Sequence, residues 1–398
     1  MNVRVNHERL RRRMAEFELD AIVSTTAENL TYLTGIDSVH LGMFPHSGRA
    51  FAVLSQNTTA GSVFVCDRSE VDQFLDADEP IAEAIGYGPF YRESPADALL
   101  HDAPLLQQVN DDTRFDEALP ALVYAVKSAC PWGGRVAVDE EGVPAAFLDA
   151  LTQQLAGWEI VAGAAHLRSV RKVKTPVELK RVVAAAAVAE NAIRATIAIM
   201  GEGVTERELV REFNRSVAAQ GGASKFTLIR IGSNAVAGRR RPTGAMLSKG
   251  QAVWFNVGVV VDGYWSDIAR VCTLGDPDPR MAYLYSAMLA GEQAAIDQAR
   301  AGMTGEELCT LTVDAVRAAG VPDYRRSHVG HGIGVEVHDP VLLRSGCTDE
   351  LEQGTVVNIE TPYYEFGFGA AHVEDPFVVE STGNRLLTTL TRDLIVVG

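Results

Sequence analysis

The sequence predicts an α/β (α+β) protein of two domains, on three observations. The chain has 398 residues, more than one hydrophobic core usually organises. Short apolar runs alternate with helical stretches up to about residue 165, which is typical of an α/β domain. A charged segment at 168–176 then precedes long helical stretches and later strands. We therefore predict domains over residues 1–165 and 166–398.

The first predicted domain begins with a basic amphipathic helix over residues 7–18, followed by a strand at 20–24. Later apolar runs bounded by polar residues predict three more strands and one helix. These strands cover 50–55, 62–67 and 135–140, and the helix covers 144–155.

The second predicted domain begins at Thr175, a suitable N-cap, with Pro176 in the first turn of a helix that extends to residue 200. The run TERE at 205–208 is a capping box that predicts another helix. Two strands joined by a turn at Asp262-Gly263 are predicted within residues 254–267. The first strand of this hairpin is predicted over 252–260, and a further strand over 226–231. Helices are predicted at 280–301 and 304–319.

Charge and composition exclude several classes of partner. The net charge of −16 argues against nucleic acid, because phosphate binding needs clustered Lys and Arg. The apolar stretch 182–200 contains Glu190, Asn191 and Arg194, so we expect a core helix and no membrane span. No apolar segment suited to a secretory signal follows the first fourteen residues, so we expect a cytoplasmic protein. The five cysteines lack CxxC spacing and are expected to be free thiols.

Acidic and imidazole side chains in apolar, strand-like surroundings predict a metal site in the second domain. They are Asp267, His331, His338, Glu360 and Glu374. A buried carboxylate without a partner is costly, and several together favour a shared cation. Carboxylate oxygens with one imidazole nitrogen suit a divalent metal such as Mn, Fe, Co or Zn.

These residues resemble a known family. The segment from Asn256 to Asp267, then GHGIGVEVHDP, NIETPYY and AHVED, is similar to the metal-ligand series of the creatinase, prolidase and methionine aminopeptidase superfamily, peptidase family M24. Residues 9–35 resemble the N-terminal domain of its two-domain members. The resemblance implies a pita-bread catalytic domain with a curved antiparallel sheet, preceded by a smaller α/β domain. It also implies a homodimer.

The same resemblance assigns a first metal site to Asp267, His331, Glu360 and Glu374. Asn256 stands where the family has a further Asp, which binds the second metal but not the first. An amide oxygen is a weaker ligand than a carboxylate, so we expect one tight metal, with one or two ions per chain.

The resemblance also implies roles in substrate binding and catalysis. Arg239 stands where a family His helps to hold the substrate, and His372 stands where an Arg often precedes the last Glu. We expect both, with His328 and His338, to contact substrate. His338 would also stabilise the developing oxyanion, and Glu360 would transfer protons.

Three functions fit these residues. The first is a metal-dependent hydrolase of an amide C–N bond, similar to Xaa-Pro dipeptidases and aminopeptidases, acting on a short peptide or small molecule. The second is a creatinase-like hydrolase or lyase of a small nitrogen compound, with or without a metal, since metal-free relatives also carry Asn at the position of Asn256. The third is an inactive member that serves as a binding module.

Overall fold

A computed structural model describes residues 4–57, 59–93 and 103–398 of the chain. Its backbone separates into two compact units, residues 1–170 and 171–398. Among the described residues, no helix is both long and apolar enough to cross a membrane.

The first unit combines helices with one mixed sheet. Its helices are α1 (His7–Glu16), α2 (Ala27–Thr34), α3 (Val39–Met43), α4 (Ala103–Asp111), α5 (Ala118–Ala129), α6 (Ala145–Gln154) and α7 (Ala164–Arg171). Its strands are β1 (Ala21–Ser24), β2 (Phe51–Ser55), β3 (Ser62–Asp67), β4 (Ile81–Tyr87), β5 (Gly134–Val138) and β6 (Trp158–Ala162). The described strands form a sheet in the order β4-β3-β2-β1-β5-β6. Its apolar core includes Phe51, Val136, Leu122 and Leu151, which are fully buried or nearly so.

The second unit contains a larger sheet and four long helices. These helices are α8 (Pro176–Ala198), α9 (Glu206–Ala219), α10 (Pro279–Gln298) and α11 (Gly305–Ala318). The strands are β7 (Ala223–Ile231), β8 (Ala252–Val261), β9 (Tyr264–Leu274), β10 (Gly330–Gly332), β11 (Asp339–Leu342), β12 (Val356–Glu360), β13 (Tyr363–Glu365), β14 (Gly369–Ala371), β15 (Glu374–Val378), β16 (Arg385–Leu386) and β17 (Ile395–Val397).

The large sheet runs in the order β11-β10-β12-β15-β9-β8-β7, with β16 beside β15 and β17 beside β9. Each described pairing in this sheet is antiparallel except that of β17 with β9. Helices α8 and α9 pack on the sheet through Ile193 and Phe213, which meet Phe255 in one buried cluster.

The elements predicted from the sequence are confirmed where local signals were strong. Thr175, Thr205 and Thr304 each form a capping box at the start of a helix. The turn at Asp262-Gly263 joins β8 to β9 with φ of 48° and 77° at its two central residues. Positive φ at both positions is typical of the type I′ hairpin that Asp-Gly favours.

Candidate metal and active site

The register of the large sheet aligns the acidic residues in one row. Asn256 pairs with Ala269, Ala269 with Glu374, and Glu374 with Glu360, across β8, β9, β15 and β12. Paired residues point to the same face of a sheet, as do residues two apart on one strand. Asp267, two residues before Ala269, therefore projects beside this row.

His331 reaches the same face from β10. It pairs with Asn358, which lies two residues before Glu360 on β12. Its Nε2 lies 4.0 Å from Asp267 Oδ2. Asp267, His331 and Glu374 each offer a ligand atom, and these atoms lie within 4.8 Å of one another. Residues distant in sequence thus bring their ligand atoms close enough together to share one metal ion.

The hydrogen bonding of His331 leaves one ring nitrogen free to bind a metal. Nδ1 lies 3.0 Å from the carbonyl oxygen of Gly332, which can only accept, so Nδ1 carries the proton. Burial, with a smaller contribution from His338, lowers the pKa of His331 to about 4. The ring is therefore neutral near pH 7, and Nε2 presents its lone pair to Asp267.

Burial and neighbouring negative charge disfavour the ionised forms of Asp267 and Glu374. Burial, followed by the charge of Glu360, raises the pKa of Asp267 well above its ordinary value. Burial and then the charges of Asp267 and Glu360 do the same to the pKa of Glu374. Asp267 Oδ1 is buried and has no hydrogen-bond partner among the described residues. This donor set fits a divalent cation, which would neutralise the acids and bind the free oxygen.

Two histidines face Glu360. His328 Nε2 lies 2.8 Å from Oε1, and His372 Nε2 lies 3.5 Å from Oε2. Burial of Glu360 acts to raise its pKa, but hydrogen bonding to His328 and His372 outweighs burial and holds the pKa well below its usual range. Glu360 is therefore the most readily ionised acid of the cluster.

A cavity of about 810 Å³ opens over the acidic cluster. Arg239, His328 and His338 line it, together with the predicted ligands and Asn256. The ring of His338 stacks on His331, with centroids 3.9 Å apart and planes 20° apart. The structure thus brings these three residues to the wall of the same cavity that the acids line.

His372 was predicted to contact substrate, but its side chain does not reach the cavity. Its side chain is fully buried, and it is not among the residues that line the cavity. Its Nε2 lies 3.4 Å from Glu374 Oε2. Asn256 does line the cavity, and its Nδ2 lies 3.4 Å from the same Glu374 oxygen. Glu374 Oε2 thus faces one nitrogen atom from each of these two residues.

Sequence reasoning missed several residues of this site. Asn358 Nδ2 donates to Glu374 Oε1 at 2.7 Å, and strand alternation with Glu360 was a signal for its position. Arg326 lines the cavity with its guanidinium 5.6 Å from the ring centroid of Tyr364. Trp254 donates from Nε1 to Nδ1 of His372 at 3.2 Å. No sequence signal links Trp254 to His372.

Comparisons with known proteins agree with this architecture. The family model described as Metallopeptidase family M24 matches residues 180–381, and that of the Creatinase/Prolidase N-terminal domain matches residues 6–173. The Xaa-Pro dipeptidase from Bacillus anthracis superposes with a TM-score of 0.78, covering 98% of this chain and 99% of that chain at 22% identity. The fold and site define a two-domain pita-bread protein of the creatinase and prolidase type. The chain belongs to metallopeptidase family M24.

Two relatives with known sequences support the same family. An Xaa-Pro dipeptidase of Lactobacillus helveticus is 32% identical over 234 residues, which are 58% of this chain and 64% of that protein. The peptidase YqhT of Bacillus subtilis strain 168 is 24% identical over 391 residues, 98% of this chain and 99% of its own length. The matched segment thus spans less than two thirds of the dipeptidase. The family and the pita-bread fold expected from the sequence are confirmed.

Proposed function

We propose that this protein is a metal-dependent hydrolase of an amide C–N bond, similar to an Xaa-Pro dipeptidase or aminopeptidase. The observation that carries the proposal is that buried ligand atoms of Asp267, His331 and Glu374 lie within 4.8 Å of one another, with Glu360 within the same distance of Glu374. These four residues would hold one divalent ion tightly. Such an ion supplies a nucleophile from water near neutral pH and polarises a carbonyl group.

The neighbouring residues suit the remaining steps of amide hydrolysis. Glu360 would accept a proton and deliver it to the leaving nitrogen, with Oε1 oriented by His328 at 2.8 Å. His338 is exposed in the cavity and would donate to the oxyanion that develops on the substrate carbonyl. Stacking on the ring of His331 fixes the orientation of the His338 ring.

An activity screen combined with elemental analysis tests this function. We expect metal-dependent cleavage of at least one Xaa-Pro dipeptide by the purified protein, lost on chelation and restored by Mn, Co or Zn. A panel of small cyclic and guanidino amides belongs in the same screen. Cleavage of such a compound with no bound metal, and of no dipeptide, would contradict the proposal.

The creatinase-like alternative keeps one observation in its favour. Asn256 presents an N–H, 3.4 Å from Glu374, at the position where a second metal would need an oxygen ligand. A metal-free enzyme would stabilise Glu374 with such N–H groups alone. It would not need the unprotonated Nε2 of His331, however, which lies 4.0 Å from Asp267. The metal-dependent reading is therefore the better supported of the two.

Arginines at the cavity favour a substrate that carries a carboxylate. Arg239 is exposed at the cavity wall, and Arg326 has a buried Nε without a hydrogen-bond partner among the described residues. The planar guanidinium matches a carboxylate in a two-point hydrogen bond. Short peptides with a free C-terminus or small carboxylic acids would satisfy both residues.

We expect Arg239→Ala and Arg326→Ala each to raise KM for a carboxylate substrate by about 10- to 100-fold, because a charge-assisted hydrogen bond is lost. Steady-state kinetics measures this effect, and metal content should not change. Arg241→Ala is the control, since Arg241 is exposed but does not line the cavity. An unchanged KM in both cavity variants would show that neither arginine binds the substrate carboxylate.

The amide at Asn256 limits the site to one tight metal, and Asn256→Asp should relieve that limit. Aspartate restores a carboxylate of nearly the same volume, so we expect a second, weaker equivalent of metal to bind. Isothermal titration with Mn²⁺ measures it. Asn191→Asp makes the same change at an exposed position of α8 and should leave the stoichiometry unaltered. A variant that still binds one ion would show that Asn256 is not the limiting group.

We also propose a homodimer, from the resemblance to two-domain creatinase and prolidase proteins. Multi-angle light scattering at micromolar concentration should give a mass near twice the 42.9 kDa of one chain. A mass near 42.9 kDa would exclude a stable dimer under these conditions.

A further inference from the structure

His372 has the geometry of a metal ligand at first sight. Its Nε2 lies 3.5 Å from Glu360 Oε2 and 3.4 Å from Glu374 Oε2. The ligand atoms of these three residues all lie within 4.8 Å of one another. Asn256 stands where the family has an Asp that binds only the second ion. By position alone, His372 is a candidate to replace that Asp.

The other nitrogen of the ring argues against that role. Nδ1 of His372 lies 3.2 Å from Nε1 of Trp254, and an indole N–H can only donate. Nδ1 must therefore keep its lone pair, and the ring proton lies on Nε2. The two ring planes are inclined by only 22°, consistent with a hydrogen bond near the plane of both rings.

His331 shows the opposite arrangement within the same site. Its Nδ1 faces a carbonyl acceptor, so its Nε2 is unprotonated. Metal-binding histidines usually donate their other N–H in this way, which fixes the tautomer that binds metal. His372 has a donor where a ligand would need an acceptor. One histidine of the site is thus set as a ligand and the other as a donor.

We propose that Trp254 fixes His372 as an Nε2–H donor that positions Glu360 and Glu374, and that His372 is a positioning residue and not a metal ligand. The inference rests on the proposed function in that these two carboxylates hold the ion. Nε2 is buried 3.5 Å from Glu360 Oε2 and 3.4 Å from Glu374 Oε2, and it forms no hydrogen bond with a described residue in this geometry. These two carboxylates are the acceptors within reach of its proton, which would stabilise both negative charges and limit the rotation of both side chains.

Glu374 is consequently surrounded by N–H groups. Asn358 Nδ2 donates to Oε1 at 2.7 Å, while Asn256 Nδ2 and His372 Nε2 each lie 3.4 Å from Oε2. A second cation would have to approach Oε2 past the two donors. The Trp254–His372 pair therefore adds to the loss of a carboxylate at Asn256 in favouring a single ion.

The tautomer of His372 can be measured directly. In protein labelled with ¹⁵N-histidine, two-bond ¹H–¹⁵N spectra distinguish Nε2–H from Nδ1–H rings, and His372→Gln and His331→Gln identify the two signals. We expect the Nε2–H form for His372 and the Nδ1–H form for His331 in the metal-free protein. An Nδ1–H form at His372 would overturn the proposal. Metal need not be bound, so this result is independent of the proposed function.

Metal affinity tests the positioning role. Chelator competition should show about 10- to 100-fold weaker binding of the first ion in His372→Phe, as for other groups that orient metal ligands. His372→Gln keeps an N–H donor and should lose less. Trp254→Phe should weaken binding and remove the uniform tautomer of His372. Trp158→Phe is its control, because Trp158 also donates an indole hydrogen bond, partly buried, to Cys130 O in the first unit.

The coordination of Co²⁺-loaded protein separates a donor from a ligand. With ¹⁵N-histidine, pulsed EPR should count one bound imidazole in the natural protein and still one in His372→Phe. A count of two that falls to one in His372→Phe would contradict the proposal. If the natural protein binds no metal, the proposed function fails, and the tautomer measured by NMR alone decides the role of Trp254.

Discussion

Asp267→Asn should empty the metal site and abolish hydrolysis. The change removes a negative charge from β9 at the point where Asp267 Oδ1 has no protein partner and Oδ2 lies 4.0 Å from Nε2 of His331. Loss of groups that only orient a ligand costs about 10- to 100-fold in metal affinity, and loss of a ligand should cost more. We expect no metal after dialysis and activity reduced by about 1,000-fold or more.

The control for this variant lies on the same hairpin. Asp262→Asn makes the same chemical change in the exposed turn between β8 and β9, where φ is 48°. Asn tolerates this backbone conformation, so folding, metal content and activity should not change. Metal retained by Asp267→Asn at the level of Asp262→Asn would show that Asp267 is not a ligand.

Asp339→Asn should cause a large loss of stability. Asp339 is completely buried with Arg171 Nη2 at 2.6 Å from Oδ1 and Lys174 Nζ at 2.9 Å from Oδ2. Both cations are also buried, so removal of the carboxylate takes the ion-pair partner from Lys174 and leaves Arg171 with Glu336 at 2.8 Å. Breaking a buried pair in this way costs about 3–5 kcal/mol. Urea unfolding of the metal-free protein should show a loss of this size in the free energy of unfolding.

The contribution of Asp339 to the free energy of unfolding should depend on pH. Burial acts to raise the pKa of Asp339, but Arg171 and then Lys174 outweigh burial and hold it below its ordinary value. The stabilisation is therefore present above the unfolded pKa of about 3.9 and is lost as the pH falls through the folded pKa. Asp314→Asn is the control, because its pair with Arg317 is exposed and should change stability by less than about 0.5 kcal/mol.

The parts of the fold that the sequence predicted carry strong local signals. Thr175 with Pro176 marked the start of α8, and the Asp262-Gly263 turn marked the β8–β9 hairpin. Strands β4 and β6 were not predicted. Each lies at an edge of its sheet with several partly exposed residues, so neither shows a continuous apolar run.

Candidate ligands could be proposed from the sequence because each lies in a distinctive local motif, as His331 does in GHGIG. The hydrogen bond from Trp254 to His372 could not be found in that way. It joins residues 118 positions apart, and it exists only because β8 and β15 flank β9 in the sheet. Local sequence cannot tell an imidazole that binds metal from one that donates a hydrogen bond, since the distinction depends on what the second nitrogen contacts.

The most direct test of a single-metal site is the metal content of the natural protein after dialysis against metal-free buffer. The charges and hydrogen bonds around Asp267, His331, Glu360 and Glu374 predict about one equivalent of divalent metal per chain. Two equivalents would show that Asn256 and the donors around Glu374 do not prevent a second ion. No metal after purification and reconstitution with Mn²⁺, Co²⁺ or Zn²⁺ would contradict the metal-dependent hydrolase and favour the creatinase-like alternative.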